Sequence, residues 1–428
     1  MLDTAGKELT ADFDYMNYDS KNSQVMINSY FNEPGNSIGK ADTLLGALPQ
    51  IITIYSGRMD YTHPIKKGTN LEAGIKSSIV NTDNNARYDS IQYGSLAHDY
   101  NRSNHFLYRE NINAAYVNLS TTLTKKWSAQ LGLRFENTNA KGKQLTTGEK
   151  FNRHYSQLFP TAYFQYKANA KNNFGLNYGR RIRRPNYESL NPFIRFIDRY
   201  TYSQGNPNLK PSISDNLELS HTYHNMFTTT LNYTATNDII QGVIEQKGQE
   251  AYSKQANIAS LRQFGLAINA NNSITKWWTN NVSINVFNNS YKGIVNNVPI
   301  AFSAISFSMN GTQQFKLSKT LTGELGGGYR SAGVIGVNKI RPLGMINAGF
   351  SKQLMKNKAT LRVTARDIFY TMRQSAVVKY GNVDAAFQEV RDTRVVNIGF
   401  TYRFNKGKMN NLKKKANNLD EQNRVGVD

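Results

Sequence analysis

Residues 180–211 read RRIRRPNYESLNPFIRFIDRYTYSQGNPNLKP. This stretch holds four of the ten prolines and four arginines within five residues, Arg180, Arg181, Arg183 and Arg184. It ends in the turn-forming cluster Gly205, Asn206, Pro207 and Asn208. A long, ordered, basic and aromatic connection of this kind usually exists for a function. Which scaffold carries it is decided by the text on either side.

Immediately before it, Phe174, Leu176 and Tyr178 alternate with Gly175, Asn177 and Gly179. Upstream, Ala129, Leu131, Leu133 and Phe135 oppose Gln130, Gly132, Arg134 and Glu136. Near the end, Val396, Ile398, Phe400, Tyr402 and Phe404 oppose Asn397, Gly399, Thr401 and Arg403. This two-residue period marks strands with unlike faces, and roughly 17 such segments recur along the chain. No amphipathic helix of any length competes with them.

The connections alternate between short and long. Short ones are expected near 19–22, 64–67, 124–126, 169–172, 224–225, 272–276, 317–319 and 355–358. Long ones are expected near 33–49, 82–107, 140–154, 182–212, 240–253, 289–299, 331–341 and 375–388. A soluble sandwich or propeller has no reason to gather its long loops at one end. An up-and-down outer-membrane β-barrel does, with short periplasmic turns and long extracellular loops. Trp127, Trp277 and Trp278 all sit beside short turns, where an interfacial aromatic girdle belongs. Seven of the eight short turns also hold a lysine, which headgroups tolerate.

Composition fits that reading. No run approaches the roughly 18 apolar residues of a membrane helix, and mean hydropathy is -0.57. In a wide barrel only alternate residues meet lipid, so such averages miss the membrane. The absence of cysteine excludes disulfides, zinc–thiolate sites and thiol nucleophiles. The formal charge of +22 invites a polyanion. Lysines in periplasmic turns and arginines in one loop fit a membrane surface better than nucleic acid.

The first residues lack the basic and apolar regions of a secretory signal. An odd segment count also conflicts with the even strand numbers of bacterial barrels. Counting back from a descending last strand, the first segment should also run downward. The expectation is therefore an all-β, antiparallel, up-and-down transmembrane β-barrel that is incomplete, with about 17 of 22 strands if it is of the plugged-transporter type. Residues 1–404 would form the partial barrel. Residues 405–428, with Lys413, Lys414 and Lys415, would be a basic, flexible periplasmic tail.

The run R-x-R-R-P-x-Y-x-x-L-N-P-F from Arg181 to Phe193, then G-N-P-N-L-K-P to Pro211 and the strand with Asn216, Leu217, Glu218 and Leu219, resembles the barrel of TonB-dependent outer-membrane receptors. It is particularly similar to their outer-membrane β-barrel subfamily. Asp60, Tyr61, Thr62, His63 and Pro64, followed by Gly68, Leu71, Glu72, Gly74 and Lys76, resemble the same group. The terminal Phe400, Tyr402 and Phe404 are similar to the signal read by the barrel-assembly machinery. The resemblance implies a Gram-negative outer membrane and uptake of a nutrient too large for porins: an iron chelate, oligosaccharide or peptide. It also implies partners, namely lipopolysaccharide, the assembly machinery, a plug domain and TonB. No plug or TonB-contacting segment is visible in this text, so the chain reads as a C-terminal portion. A passive porin-like channel or scaffold barrel and a secreted all-β binding protein are the alternatives.

Chemistry finds little foothold. His221 and His224 lie three apart, which on a strand puts them on opposite faces and argues against a shared metal. No nucleophile elbow, phosphate loop or dinucleotide fingerprint is present, so neither catalysis nor a cofactor is expected. Ligand binding has better candidates. Arg180, Arg181, Arg183, Arg184, Arg195 and Arg199 suit an anionic ligand through charge-assisted bonds. Phe193, Phe196, Tyr200 and Tyr202 could stack on a sugar ring or chelate. The competing reading gives the same arginines to lipopolysaccharide phosphates, to plug carboxylates or to bracing the loop.

Overall fold

The computed structural model describes residues 6–92, 94–198, 200–295, 297–404 and 420–425. Sixteen antiparallel strands follow one another up and down in chain order. The first five are β1 (Glu8–Asn28), β2 (Asp42–Lys66), β3 (Thr69–Gln92), β4 (Asn104–Thr122) and β5 (Trp127–Gln144). Next come β6 (Lys150–Lys167), β7 (Asn172–Arg183), β8 (Ser212–Tyr223), β9 (Phe227–Lys247) and β10 (Glu250–Ser273). The rest are β11 (Trp278–Val295), β12 (Val298–Lys316), β13 (Leu321–Arg330), β14 (Leu343–Leu354), β15 (Ala359–Arg366) and β16 (Val395–Tyr402). Three short strands at Ser95–His98, Ile194–Phe196 and Thr201–Gln204 bring this sheet to nineteen. Loop hairpins at Gly333–Ile335, Asn338–Ile340, Arg373–Tyr380 and Val383–Val390 form a separate four-stranded sheet.

The alternation sorts side chains as a barrel wall requires. Leu131, Leu133 and Phe135 of β5 are each 45% exposed on the outer face, while Glu136, the next residue along, is buried on the inner one. Leu217 and Leu219 of β8 and Ile346 and Phe350 of β14 repeat the exposed apolar face. A wall that is apolar outside and polar inside is the transmembrane-barrel pattern.

Two expectations need correction. No turn interrupts 19–22: β1 runs unbroken for 21 residues, with Asp19 opposite Ile51 and Asn22 opposite Leu48. Its polar residues are satisfied by a continuous ladder with β2, so local turn propensity is overridden. The count becomes sixteen, so β1 runs opposite to β16 and not in the same direction as expected. The long connections expected near 140–154, 240–253 and 289–299 are mostly ladder as well. β10 alone has 24 residues, against the roughly 9–11 needed to cross a bilayer. Paired strands therefore project beyond the membrane and close in tight turns such as those at 145–149 and 248–249. Among the described residues no pairing joins β1 to β16, so the sheet is not closed.

The largest core lies inside this wall. Ile52 and Ile54 of β2, Val80 of β3, Phe106 and Tyr108 of β4 and Ala140 of β5 pack against Tyr187, Leu190 and Leu209 of the proline-rich loop. That loop folds inward and fills part of the lumen.

Candidate functional site

The loop is held by its own sequence. Asn186 caps the single helical turn α1 (Tyr187–Leu190), its side chain accepting from the Ser189 amide at 2.8 Å. Gly205 then passes against the end of that turn, and the Asn206 amide donates to Ser189 O at 2.6 Å. Arg153 of β6 donates to the carbonyls of Pro207 (2.6 Å) and Leu209. Asn257 of β10 accepts from the Lys210 amide at 2.8 Å and donates to its carbonyl at 3.0 Å. The turn cluster that stood out in the sequence is thus clamped from two sides.

Between the loop and β2–β7 lies a cavity of about 970 Å³. Its cations are Arg58, Lys76, Arg134, Arg180, Arg181, Arg183, Arg184 and Arg424. Arg184 is anchored, with Nη2 2.7 Å from Glu136 Oε2 and 3.0 Å from Thr138 Oγ1. Burial opposes its charge, but the fields of Tyr155 and Glu136 outweigh this and hold its pKa above the ordinary arginine value. Arg134 shares Glu136 at 2.9 Å, and Arg58 pairs with Asp60. Arg181 and Arg183 are exposed to the cavity, and no carboxylate among the described residues forms an ion pair with either. The Nε of Arg184 and the hydroxyl of Tyr187 are buried without a hydrogen-bond partner.

The residues singled out in the sequence separate into several places. Arg180 shares the outer face of β7 with Phe174 and Leu176, and its Nε lies 2.9 Å from Asp215 Oδ1, which also accepts from the Tyr178 hydroxyl at 2.8 Å. Arg195 pairs with Glu188 at 2.6 Å, both substantially exposed. Phe196 is buried edge-on against Tyr88, with ring centroids 5.6 Å apart. Tyr202 stacks on Tyr252 at 4.9 Å, Phe193 packs against the lumen core, and Tyr200 is exposed. Arg199 lies outside the described residues. Of the original set, Arg180, Arg181, Arg183 and Arg184 line the cavity, and of these Arg180 has its guanidinium held by Asp215. Their companions Arg58, Lys76 and Arg134 were visible only as the polar half of strand alternations.

At the short-turn end, Trp127 stacks on Tyr166 (4.5 Å), followed by Phe174 and His221 across adjacent strands. Trp277 and Trp278 gather with Phe315, and Trp278 Nε1 donates to Gln313 at 2.7 Å. Phe400 and Phe404 are exposed, and Tyr402 meets Phe404 edge-on at 4.6 Å.

A solvated tail does not describe Asp420–Val425, whereas residues 405–419 lie outside the described residues. Glu421 is 2% exposed, Arg424 and Val425 are buried, and all three sit on the lumen wall.

An antiparallel, up-and-down sheet with an apolar outer face and a filled lumen is the wall of a transmembrane β-barrel. The profile of the Outer membrane protein beta-barrel family matches residues 1–402, and the chain belongs to that family. By sequence, no curated protein matches it. Its fold is that of TonB-dependent receptor barrels. The siderophore receptor PiuA from Acinetobacter baumannii superposes with TM-score 0.51 at 12% identity, over 92% of this chain and 72% of its own. The ferric yersiniabactin uptake receptor FyuA from Yersinia pestis gives 0.55 at 14% identity, over 92% and 62%. P. aeruginosa FpvA, solved with pyoverdines, gives 0.59 at 11% identity, over 93% and 54%. The chain thus spans less than two thirds of the length of the latter two.

Proposed function

We propose that this chain is the barrel of an outer-membrane uptake receptor of a Gram-negative cell, and that its cargo is a large anionic nutrient such as an iron chelate. The observation that carries this reading is the cavity of about 970 Å³ in which Arg181 and Arg183, beside anchored Arg184, form no ion pair among the described residues. That volume falls at the upper end of ordinary ligand sites. Cations without internal counter-charges are free to make charge-assisted bonds to an anion. Energised uptake would require a plug domain and TonB as partners. The tryptophan clusters would form the periplasmic girdle, and Phe400, Tyr402 and Phe404 would be read by the assembly machinery. On the outer wall, Arg109, Lys141, Lys143 and Lys150 line a second depression of about 750 Å³, which suits lipopolysaccharide phosphates. A passive channel is disfavoured by Tyr187, Leu190 and Leu209 filling the lumen.

The test is titration calorimetry of the detergent-folded protein with anionic and neutral ferric chelates of similar size. Preference for the anionic chelates, lost about tenfold or more in Arg181→Ala/Arg183→Ala, is expected. Equal binding of both charge classes, or no effect of the double substitution, overturns the reading.

A further inference from the structure

The contacts of the C-terminal segment Asp420–Val425 with the lumen wall are built from complementary chemistry. Glu421 receives the Lys76 ammonium at 2.8 and 3.0 Å and the Ser78 hydroxyl at 2.7 Å, both from the inner face of β3. Arg424 donates through Nη1 and Nη2 to Glu110 of β4, and through Nε to the Pro185 carbonyl at 2.9 Å. Its guanidinium lies over the Tyr187 ring, 4.4 Å from the centroid. Val425 enters the same apolar cluster as Ile52 and Val80. Glu421 and Arg424 are three residues apart around the 3₁₀ turn Gln422–Arg424, where positions i and i+3 eclipse. Both side chains therefore reach neighbouring strands of one wall.

The wall is prepared for this guest. Glu110 is 3% exposed, accepts from the Tyr108 hydroxyl at 2.9 Å, and has Arg424 as its ion-pair partner among the described residues. A buried carboxylate left without a cation is strongly destabilising. Lys76 likewise pairs only with Glu421 among the described residues.

We propose that Lys76, Ser78, Glu110 and Tyr187 form a docking site in the lumen for a short segment carrying a carboxylate and a guanidinium three residues apart, and that its occupant is the chain's own Asp420–Val425. Docked there, the segment forms one wall of the cationic cavity, neutralises Lys76 and pins the proline-rich loop through Pro185 and Tyr187. Occupancy of the lumen by the tail therefore sets the charge and size of the cavity. The inference does not depend on the cargo proposed above, because its test uses none.

The chain has no cysteine, so a disulfide can form only between introduced ones. Ser78→Cys with Glu421→Cys, in the full chain folded in detergent micelles and mildly oxidised, should cross-link in most molecules. Adding Glu110→Gln should reduce this about tenfold, as expected for losing a charged hydrogen bond. Cross-linking that is rare, or indifferent to Glu110→Gln, overturns the proposal. The second measurement needs no cysteine. A fluorescent peptide of residues 420–428 should bind the Arg424→Ala chain about tenfold or more tighter than the unaltered chain, whose site is already filled. Equal binding to the two proteins also overturns it.

Discussion

Gly205 lies so close to Asn191 that a β-carbon on it would stand 1.8 Å from the Asn191 carbonyl oxygen, with Glu188 O only 3.0 Å away. Both neighbours are backbone and cannot swing aside. Gly205→Ala should therefore destabilise the loop by about 1–3 kcal/mol or more. Gly57→Ala, with nothing within 4 Å of the added carbon, should fall within about 0.5 kcal/mol of the parent. Urea unfolding in micelles followed by tryptophan fluorescence would compare the two.

Arg181 and Arg184 lie three positions apart in the sequence and are held quite differently in the fold. Removing Arg184 leaves Glu136, 7% exposed, with Arg134 as its remaining ion-pair partner among the described residues. Arg184→Ala should cost about 3–5 kcal/mol, the range for breaking a buried pair. Arg181→Ala and Arg183→Ala should each stay within about 0.5 kcal/mol, since neither forms an ion pair among the described residues. The same unfolding assay checks this, and a large loss in Arg181→Ala would contradict the assignment.

Leu133 faces outward and its register neighbour Val117 does too. Placing a charge there asks hydrocarbon to hold it. Leu133→Arg should destabilise insertion into bilayers by about 2–4 kcal/mol near the midplane. Folding titrations into lipid vesicles give the number, and a value near zero would remove this strand from the membrane.

The docked tail should also respond to acid. Burial of Glu421 raises its pKa, but Lys76 and Ser78 outweigh this, and the carboxyl titrates below the ordinary glutamate value of 4.5. A depressed folded pKa means the contact is fully present above the undocked pKa and weakens as pH falls through the docked one. Release should therefore be confined to pH below the ordinary glutamate range. A fluorophore on Asp428→Cys should keep its anisotropy through the ordinary glutamate range, and release already at or above pH 4.5 would contradict it.

The wall was legible because its information is local. Leu131, Leu133 and Phe135 declare a strand and its lipid face within five residues, and the turns declare the ends. The break expected at Asp19–Asn22 failed because four polar residues look like a turn until the pairing with Ile51 and Leu48 is known. The loop was legible as a feature but not as a lumen filler, since the partners of Leu209 come from β2–β5. Its arginines scattered because strand parity puts Arg180 outside and Arg181 inside, a distinction that a count of charges does not make. The contacts of Glu421 with Lys76 and of Arg424 with Glu110 span 345 and 314 residues. No periodicity carries such a relationship.

The sides of β1 and β16 that find no strand among the described residues have a consequence for handling the molecule. Each exposes a row of amide and carbonyl groups that lipid cannot satisfy, and such an edge is a template for another strand. The 21-residue length of β1 makes it the more adhesive of the two. The stoichiometry of the purified protein, read by light scattering across dilution, thus becomes a gauge of closure: a particle whose mass stays that of one chain has had its seam covered, and one that grows with concentration has been sewing itself to its neighbours.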